Sequence, residues 1–321
     1  MTDITEYGFP RELLPADGAA QPARVTAVFK ERWQLITPEG ERYAQLKKKE
    51  YYYQAQPFPT TGDYVLARPA SGDWQIVRTL HRKSFFSRMD SWHGTEQAVA
   101  ANMDVVFAVQ SLNENFSVKR LERYLTLAWN SGAQPVVLLT KSDLPGDHLQ
   151  AVRAAEEAAG DAPVIALSAR TGQGMETLEP WLKPRQTAVF LGSSGVGKSS
   201  LVNRLAGEEV MSTGGLRERD SAGRHTTTHR QLLRLPSGAL VMDTPGMREL
   251  GMWDSLEGLA EAFPDVERFL GRCRFSDCKH ETEPGCAIRA ALASGELPPE
   301  RWKSYQQLLV ESRPRRRKKR T

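Results

Sequence analysis

Between Ala23 and about Arg82, apolar and polar residues alternate in short runs. Residues 24–29 alternate, residues 33–37 follow, and residues 64–67 and 74–80 repeat the pattern. Period-two alternation buries one face of a strand, and Pro38-Glu-Gly40, Gly62-Asp63 and Ser71-Gly-Asp73 supply turn signals between the runs. About five strands in so short a stretch predict a small closed barrel of the OB type, a fold that commonly binds RNA or single strands. From Met103 the pattern changes to continuous apolar runs at residues 105–109, 135–139, 163–167 and 188–191. Helical spacing separates them at 118–129 and 149–159, and short runs at 232–235 and 240–242 complete the set. Strands apolar on both faces, alternating with helices, predict a parallel α/β sheet. After Trp253 helical spacing takes over at 256–269, 286–294 and 298–311. Residues 1–20 show no periodicity and carry several Pro, Gly and Ala, which predicts disorder. The division that follows is 1–22 disordered, 23–88 barrel, 89–254 α/β domain, 255–312 helical domain and 313–321 basic tail.

The run at 188–191 leads into Gly192, Ser193, Ser194, Gly195, Val196, Gly197, Lys198 and Ser199, which fit G-x-x-x-x-G-K-[ST]. Ser200 to Leu205 then continues as a helix, so the strand–loop–helix context that this phosphate loop requires is met. Glycine at these points admits an anion close to the backbone, whose N–H groups and helix N-terminus bind phosphate oxygens. Lys198 would reach the β- and γ-phosphates and the Ser199 hydroxyl would ligate Mg²⁺.

Composition then narrows the picture. The chain of 321 residues is 40% hydrophobic and 26% charged, as soluble globular proteins are. No apolar run approaches the ~20 residues that span a membrane, and the N-terminus lacks a signal-peptide pattern, so a cytoplasmic monomer without membrane contact is expected. Net charge is +4, but seven cationic residues lie between Arg313 and Arg320, leaving 4 − 7 = −3 for the rest. Such a block either contacts nucleic acid or is a solvated tail. Lys47-Lys-Lys49 beside Tyr51-Tyr-Tyr53 reads equally as a nucleic-acid surface or as a solvated loop next to a core tyrosine.

Thr140-Lys141-Ser-Asp143 follows the 135–139 strand and fits the [NT]-K-x-D guanine signature. A carboxylate at Asp143 can accept from both N1–H and the 2-amino group of guanine, a donor pair adenine lacks, while the Lys141 stem can pack on the purine. Ser168-Ala169-Arg170 ends the next strand and resembles a guanine-contacting S-A-[KR] turn. Asp243-Thr-Pro-Gly246 resembles D-x-x-G, with Asp243 holding Mg²⁺ through water and the Gly246 N–H meeting the γ-phosphate. The loop between contains Gly223-Arg-His225-Thr226-Thr227-Thr228; Thr227 first, Thr226 second, would place a hydroxyl on Mg²⁺. Met247 follows Gly246 where a water-orienting Gln is usual. His225 is the candidate substitute, or else a surface-loop histidine. These elements are complete but circularly permuted, because the guanine signatures precede the phosphate loop; termini lying close together make such a cut compatible with the fold.

The three cysteines all fall in Cys273-x4-Cys278-x-His280-x5-Cys286. Three thiolates and an imidazole form a closed set suited to one structural tetrahedral zinc.

A barrel, a permuted GTPase with T-K-x-D, G-x-S-G-V-G-K-S, G-x-H-T-T-T and D-[ST]-P-G, and then C-x4-C-x-H-x5-C resembles the RsgA (YjeQ/YloQ) family over about residues 23–311. The resemblance implies a GTPase stimulated by the small ribosomal subunit, acting late in subunit maturation, whose barrel and zinc domain bind ribosomal RNA. It places His225 at the family's switch histidine. It also implies GTP with Mg²⁺ as substrate and one zinc ion. Permutation sets Asp243 and Gly246 just before the C-terminal domain, so a γ-phosphate-dependent shift there would reorient that domain on RNA. The competing readings are an RNA-binding module that only senses guanine-nucleotide state, and a GTPase acting on another RNA such as tRNA.

Overall fold

The computed structural model describes residues 1–15, 20–30, 32–46, 51, 57–89, 96–211, 231–243 and 255–312. Strands β1 (Gln21–Val28), β2 (Trp33–Thr37), β3 (Gly40–Leu46), β4 (Tyr64–Arg68) and β5 (Trp74–Thr79) form the expected barrel. Their order is β1-β2-β3-β5-β4, and β4 pairs back onto β1 through Gln21↔Ala67 to Arg24↔Tyr64, which closes it. Ala23, Val25, Leu35, Val65, Ala67 and Ile76 fill the interior. Tyr51 joins them at 2% exposure, with its hydroxyl 3.4 Å from Thr79 Oγ1, and burial pushes its pKa up to about 12. Tyr51 is therefore a core residue; Lys47, Lys48, Lys49, Tyr52 and Tyr53 lie outside the described residues.

A hairpin of β6 (Phe85–Met89) and β7 (Glu96–Ala101) leads into the strands of the α/β domain, which form one continuous sheet with the barrel through the Ala27↔Gln231 pair. The expected 88/89 division falls inside this hairpin, whose Phe86, Val99 and Ala100 pack into the core of the α/β domain. The α/β part of the sheet contains β8 (Val105–Ser111), β9 (Gln134–Thr140), β10 (Val164–Ala166), β11 (Thr187–Leu191), β12 (Gln231–Arg234) and β13 (Leu240–Asp243) in the order β10-β9-β8-β11-β13-β12. All but β12 are parallel. β12 runs antiparallel to β13 because only residues 235–239 join them, too few for a crossover.

Helices α1 (Val118–Asn130) and α2 (Leu149–Ala159) cover one face. The other carries α3 (Lys198–Ala206) and the 3-10 helix Met175–Trp181. The helical spacing at 256–269 resolves into α4 (Leu256–Ala262) and α5 (Pro264–Glu267), because Pro264 lacks the N–H to continue the first helix. Helices α6 (Ala287–Ser294) and α7 (Pro299–Ser312) end the described chain.

The C-terminal helices do not have a separate core. Phe263, Val266, Ile288, Leu297, Tyr305 and Leu308 belong to the same apolar cluster as Leu121, Leu125 and Ala128 of α1. Gly258 makes the approach possible, since a Cβ there would collide with the Thr126 carbonyl and with Asn130. Arg301 reinforces it. Its guanidinium reaches Glu122 at 2.8 Å and Asp265 at 3.0 Å, and lies 3.9 Å from the Phe263 ring centroid.

The structure differs from expectation at the N-terminus. Residues 4–7 and 11–13 form 3-10 turns, and Ile4 and Phe9 are buried with Ile36, Tyr64 and Leu80. Two or three apolar side chains at irregular spacing carry no periodic signal, yet the barrel side chains Ile36 and Tyr64 give them a surface to pack on. Glu6 pairs with Arg234 of β12 at 2.8 Å. The fully buried Arg24 completes this junction: it donates to Thr187 Oγ1 at 2.8 Å and Asn102 O at 3.2 Å, and also to Tyr7 O.

Candidate functional site

The parallel strands β8, β9, β10, β11 and β13 all end at one edge, where open α/β sheets bind ligands. Residues 192–197 leave β11 there and enter α3. Gly195 and Gly197 have φ of 74° and 96°, left-handed values that a side chain would resist, and Gly192 packs so tightly that a Cβ would lie 2.8 Å from the Val109 carbonyl oxygen. Lys198 Nζ donates to Gly192 O at 2.6 Å and Ser193 O at 2.7 Å. The Thr140 hydroxyl donates to Gln110 O at 3.1 Å and also to Val196 O. Thr140 thus ties the strand bearing the guanine signature to the loop that would hold phosphate. Ser199 and Ser200 lie in the first turn of α3, whose N–H groups face the same edge.

Lys141 turns the chain with φ of 61°. Ser142 N donates to Leu167 O at 3.2 Å, and Leu144 N to Lys141 O at 3.1 Å. This tight turn sets Asp143 against the end of β10. Ser168 Oγ donates to Asp143 Oδ1, and Arg170 donates to Oδ2 through Nε at 2.7 Å and through Nη2. The Ser168 hydroxyl first, and Arg170 next, lower the Asp143 pKa below its ordinary 3.8. The Asp143 side chain is 10% exposed and remains an acceptor, whereas Arg170 is 77% exposed and can swing clear of an arriving base. Ala169, between them, packs against the apolar face that holds Leu167 and Leu201.

Asp243 ends β13 one residue beyond the Val189↔Met242 pair, so its backbone reaches the phosphate-loop edge. His225, Thr226, Thr227 and Gly246 lie outside the described residues.

Two further side chains at this edge were not singled out from sequence. Asn115, in the loop after β8, donates through Nδ2 to Ser193 Oγ at 3.2 Å and Ser194 O at 3.5 Å. Arg120 Nη2 donates to Asn115 Oδ1 at 3.0 Å and to its carbonyl. The available signal was the polar Asn113-Glu-Asn115 directly after a wholly apolar strand, a place where parallel sheets put ligand-facing groups.

Cys273, Cys278, His280 and Cys286 converge, with all four ligand atoms within 4.8 Å of one another. Cys273 Sγ is 3.9 Å from Cys286 Sγ, and His280 Nδ1 is 3.5 and 3.4 Å from those two sulfurs. A tetrahedron with metal–sulfur bonds of about 2.3 Å and metal–nitrogen bonds of about 2.0–2.1 Å has edges of roughly 3.8 and 3.5 Å, so the cluster fits one tetrahedral cation. Backbone N–H groups of Ala287 and Arg289 donate to the Cys273 and Cys286 sulfurs at 3.4 and 3.5 Å. Glu283 buckles the intervening loop, accepting from the N–H groups of Lys279, Glu281 and Thr282 at 3.0, 2.9 and 3.0 Å. Backbone N–H donors, its own foremost, bring its pKa down to about 2.

Known proteins share this arrangement. The model of the family described as RsgA GTPase matches residues 79–253. A "Small ribosomal subunit biogenesis GTPase RsgA 2" of Listeria monocytogenes is 44% identical over 308 residues, covering 95% of this chain and 88% of the relative. A protein of that function name without the numeral, from Opitutus terrae, is 45% identical, with coverage of 89% and 82%. The crystal structure of YjeQ from Thermotoga maritima superposes with a TM-score of 0.68 at 28% identity, covering 93% of this chain and 100% of that one. A structure titled as YloQ, a circularly permuted GTPase, shares the fold with a TM-score of 0.63 at 22% identity, with coverage of 94% and 98%. The family model spans more than half the chain and the relatives nearly all of it: the chain belongs to the RsgA GTPase family.

Proposed function

We propose that this protein is a cytoplasmic, monomeric GTPase that acts on maturing small ribosomal subunits and hydrolyses GTP faster when bound to them. The observation that carries the reading is the sequence match to relatives named small ribosomal subunit biogenesis GTPase, which extends beyond the nucleotide domain to 95% of this chain. An RNA-binding barrel and a metal-stapled helical module flanking a guanine-nucleotide site suit a switch that grips ribosomal RNA on two sides.

In this reading Gly192 to Ser200 cradle the phosphates, Lys198 neutralises charge at the β- and γ-phosphates, and Asp143 reads guanine with Thr140, Lys141, Ser168 and Ala169 in support. Ser199, Asp243 and Thr227 would hold Mg²⁺, which would offset the charge that develops on the phosphates. Gly246 would meet the γ-phosphate and His225 would orient the attacking water. One zinc ion is the cation that Cys273, Cys278, His280 and Cys286 suit, and with no open position it would be structural. The γ-phosphate would order the switch segments, and its loss on hydrolysis would reorient the C-terminal module and release the subunit.

The test is GTP turnover by the full chain with and without purified small subunits, and with tRNA as competitor. Stimulation by subunits, absent in Ser199→Ala, is the expected result. An unchanged native rate with subunits, or suppression of any stimulation by tRNA, overturns it.

A further inference from the structure

Four carbonyl oxygens of the phosphate loop accept hydrogen bonds from side chains. Gly192 O and Ser193 O accept from Lys198, Val196 O from Thr140, and Ser194 O from Asn115. The first two donors are motif residues; Asn115 is not, and it comes from a different strand end. A trans peptide is planar, so its C=O and N–H point in opposite directions. A donor that draws Ser194 O outward therefore turns the N–H of Gly195 inward, toward the anion cradle. Gly195 itself offers no resistance to other orientations: it is exposed, and a Cβ there would meet nothing within 4 Å. The Ser194–Gly195 peptide thus lacks local steric restraint and relies on an outside partner.

Asn115 is built for that task. Arg120 has only donors, and its Nη2 lies 3.0 Å from Asn115 Oδ1, which fixes the amide so that Nδ2, not Oδ1, faces the loop. Asn115 N donates to Asn113 Oδ1 at 3.1 Å, and Ser111 Oγ donates to the same oxygen at 2.7 Å, which holds the segment against the end of β8. The Nδ2 to Ser194 O distance of 3.5 Å is long for a hydrogen bond, and the 3.2 Å contact of the same nitrogen with Ser193 Oγ holds it at the loop.

We infer that Asn115, oriented by Arg120, is a positioning residue for GTP hydrolysis: it aims the Gly195 N–H at the oxygens where charge builds as the γ-phosphoryl group leaves. A preaimed donor counts most as that charge develops, less in the bound triphosphate and least in the diphosphate, so its loss falls chiefly on turnover, then on affinity for a GTP analogue, and hardly on GDP affinity.

The test measures intrinsic GTP turnover by the full chain at saturating GTP and Mg²⁺, without ribosomal subunits, so it does not depend on the proposed partner. GDP affinity and the affinity ratio of a non-hydrolysable GTP analogue to GDP are measured beside it. Asn115→Ala should lower kcat about tenfold while GDP affinity changes less than about threefold, since an aimed donor is weakened rather than deleted. The analogue-to-GDP ratio should fall as well. Arg120→Ala, which frees the amide to rotate, should shift kcat and that ratio in the same direction, and Asn115→Gln should recover part of the rate. A native kcat in Asn115→Ala overturns the inference. So does a loss of GDP affinity as large as the loss of kcat, which would mark a purely structural contact, and so does a native analogue-to-GDP ratio in both variants.

Discussion

Asp143 shows how much chemistry a single carboxylate takes from its neighbours. Its pKa is depressed chiefly by the Ser168 hydroxyl and then by Arg170. The ionised form is the one that can accept from guanine N1–H and the 2-amino group. For a depressed carboxylate the favourable contribution is present above the ordinary value of 3.8 and is lost as pH falls through the lower folded value. Ser168→Ala removes the larger cause and should move that loss to higher pH. GDP affinity measured from pH 7 down to below the ordinary value of 3.8 should therefore decline earlier in Ser168→Ala than in the native protein; superimposable profiles would count against this role for Ser168.

The Cys₃His module has little regular structure of its own. Residues 268–286 contain no helix or strand, and Cys273, Cys278 and His280 sit in bends and irregular loop. His280 adopts φ of 63°, and its ring stands edge-on to Trp302 of α7 at 5.7 Å. Deprotonated thiolates without a cation would repel at these separations, so metal retention and local order are linked. Chelation should shift Trp302-dominated fluorescence changes in the α7 region and loosen residues 268–286 to hydrogen exchange. GDP binding should persist, because no identified contact joins the cysteine cluster to Asp143 or to the phosphate loop. Equal loss of GDP affinity on chelation would show that the module supports the nucleotide site directly.

At the scale of the whole molecule, buried cations join the parts. Arg24 links the barrel, the N-terminal turns and the first residue of β11, the strand that carries the phosphate loop. Arg301 links α7 to α5 and to α1 through Asp265 and Glu122, whose side chain is only 3% exposed. Removing one member of a buried pair leaves the other charge uncompensated, so Arg301→Ala should cost about 3–5 kcal/mol of stability. Adding Glu122→Gln to that variant should recover part of the loss, a non-additive result readable from urea unfolding of the two single and one double variants. Strict additivity would mean that Arg301 acts through its packing on Phe263 alone.

Much of this architecture was legible in the chain. Period-two alternation showed the barrel, and apolar runs with helical intervals showed the α/β sheet, because both periodicities follow from which faces must be buried. The helix Leu149–Ala159 fell where the spacing put it. The phosphate-loop motif, the Thr140–Asp143 motif and the Cys₃His cluster were readable because each is a set of particular residue types at short, fixed spacing. Long-range structure decided what short spacing cannot encode. Ile4 and Phe9 have no period, yet the folded barrel gives them Ile36, Tyr64 and Leu80 to bury against. Tyr51 could have faced solvent or core, and the closing of the barrel settled it as core. Whether the C-terminal helices keep their own core or share that of α1 turned on one missing Cβ, at Gly258. Asn115 matches no motif, because its meaning lies in a carbonyl some eighty residues away that only the folded sheet brings within reach.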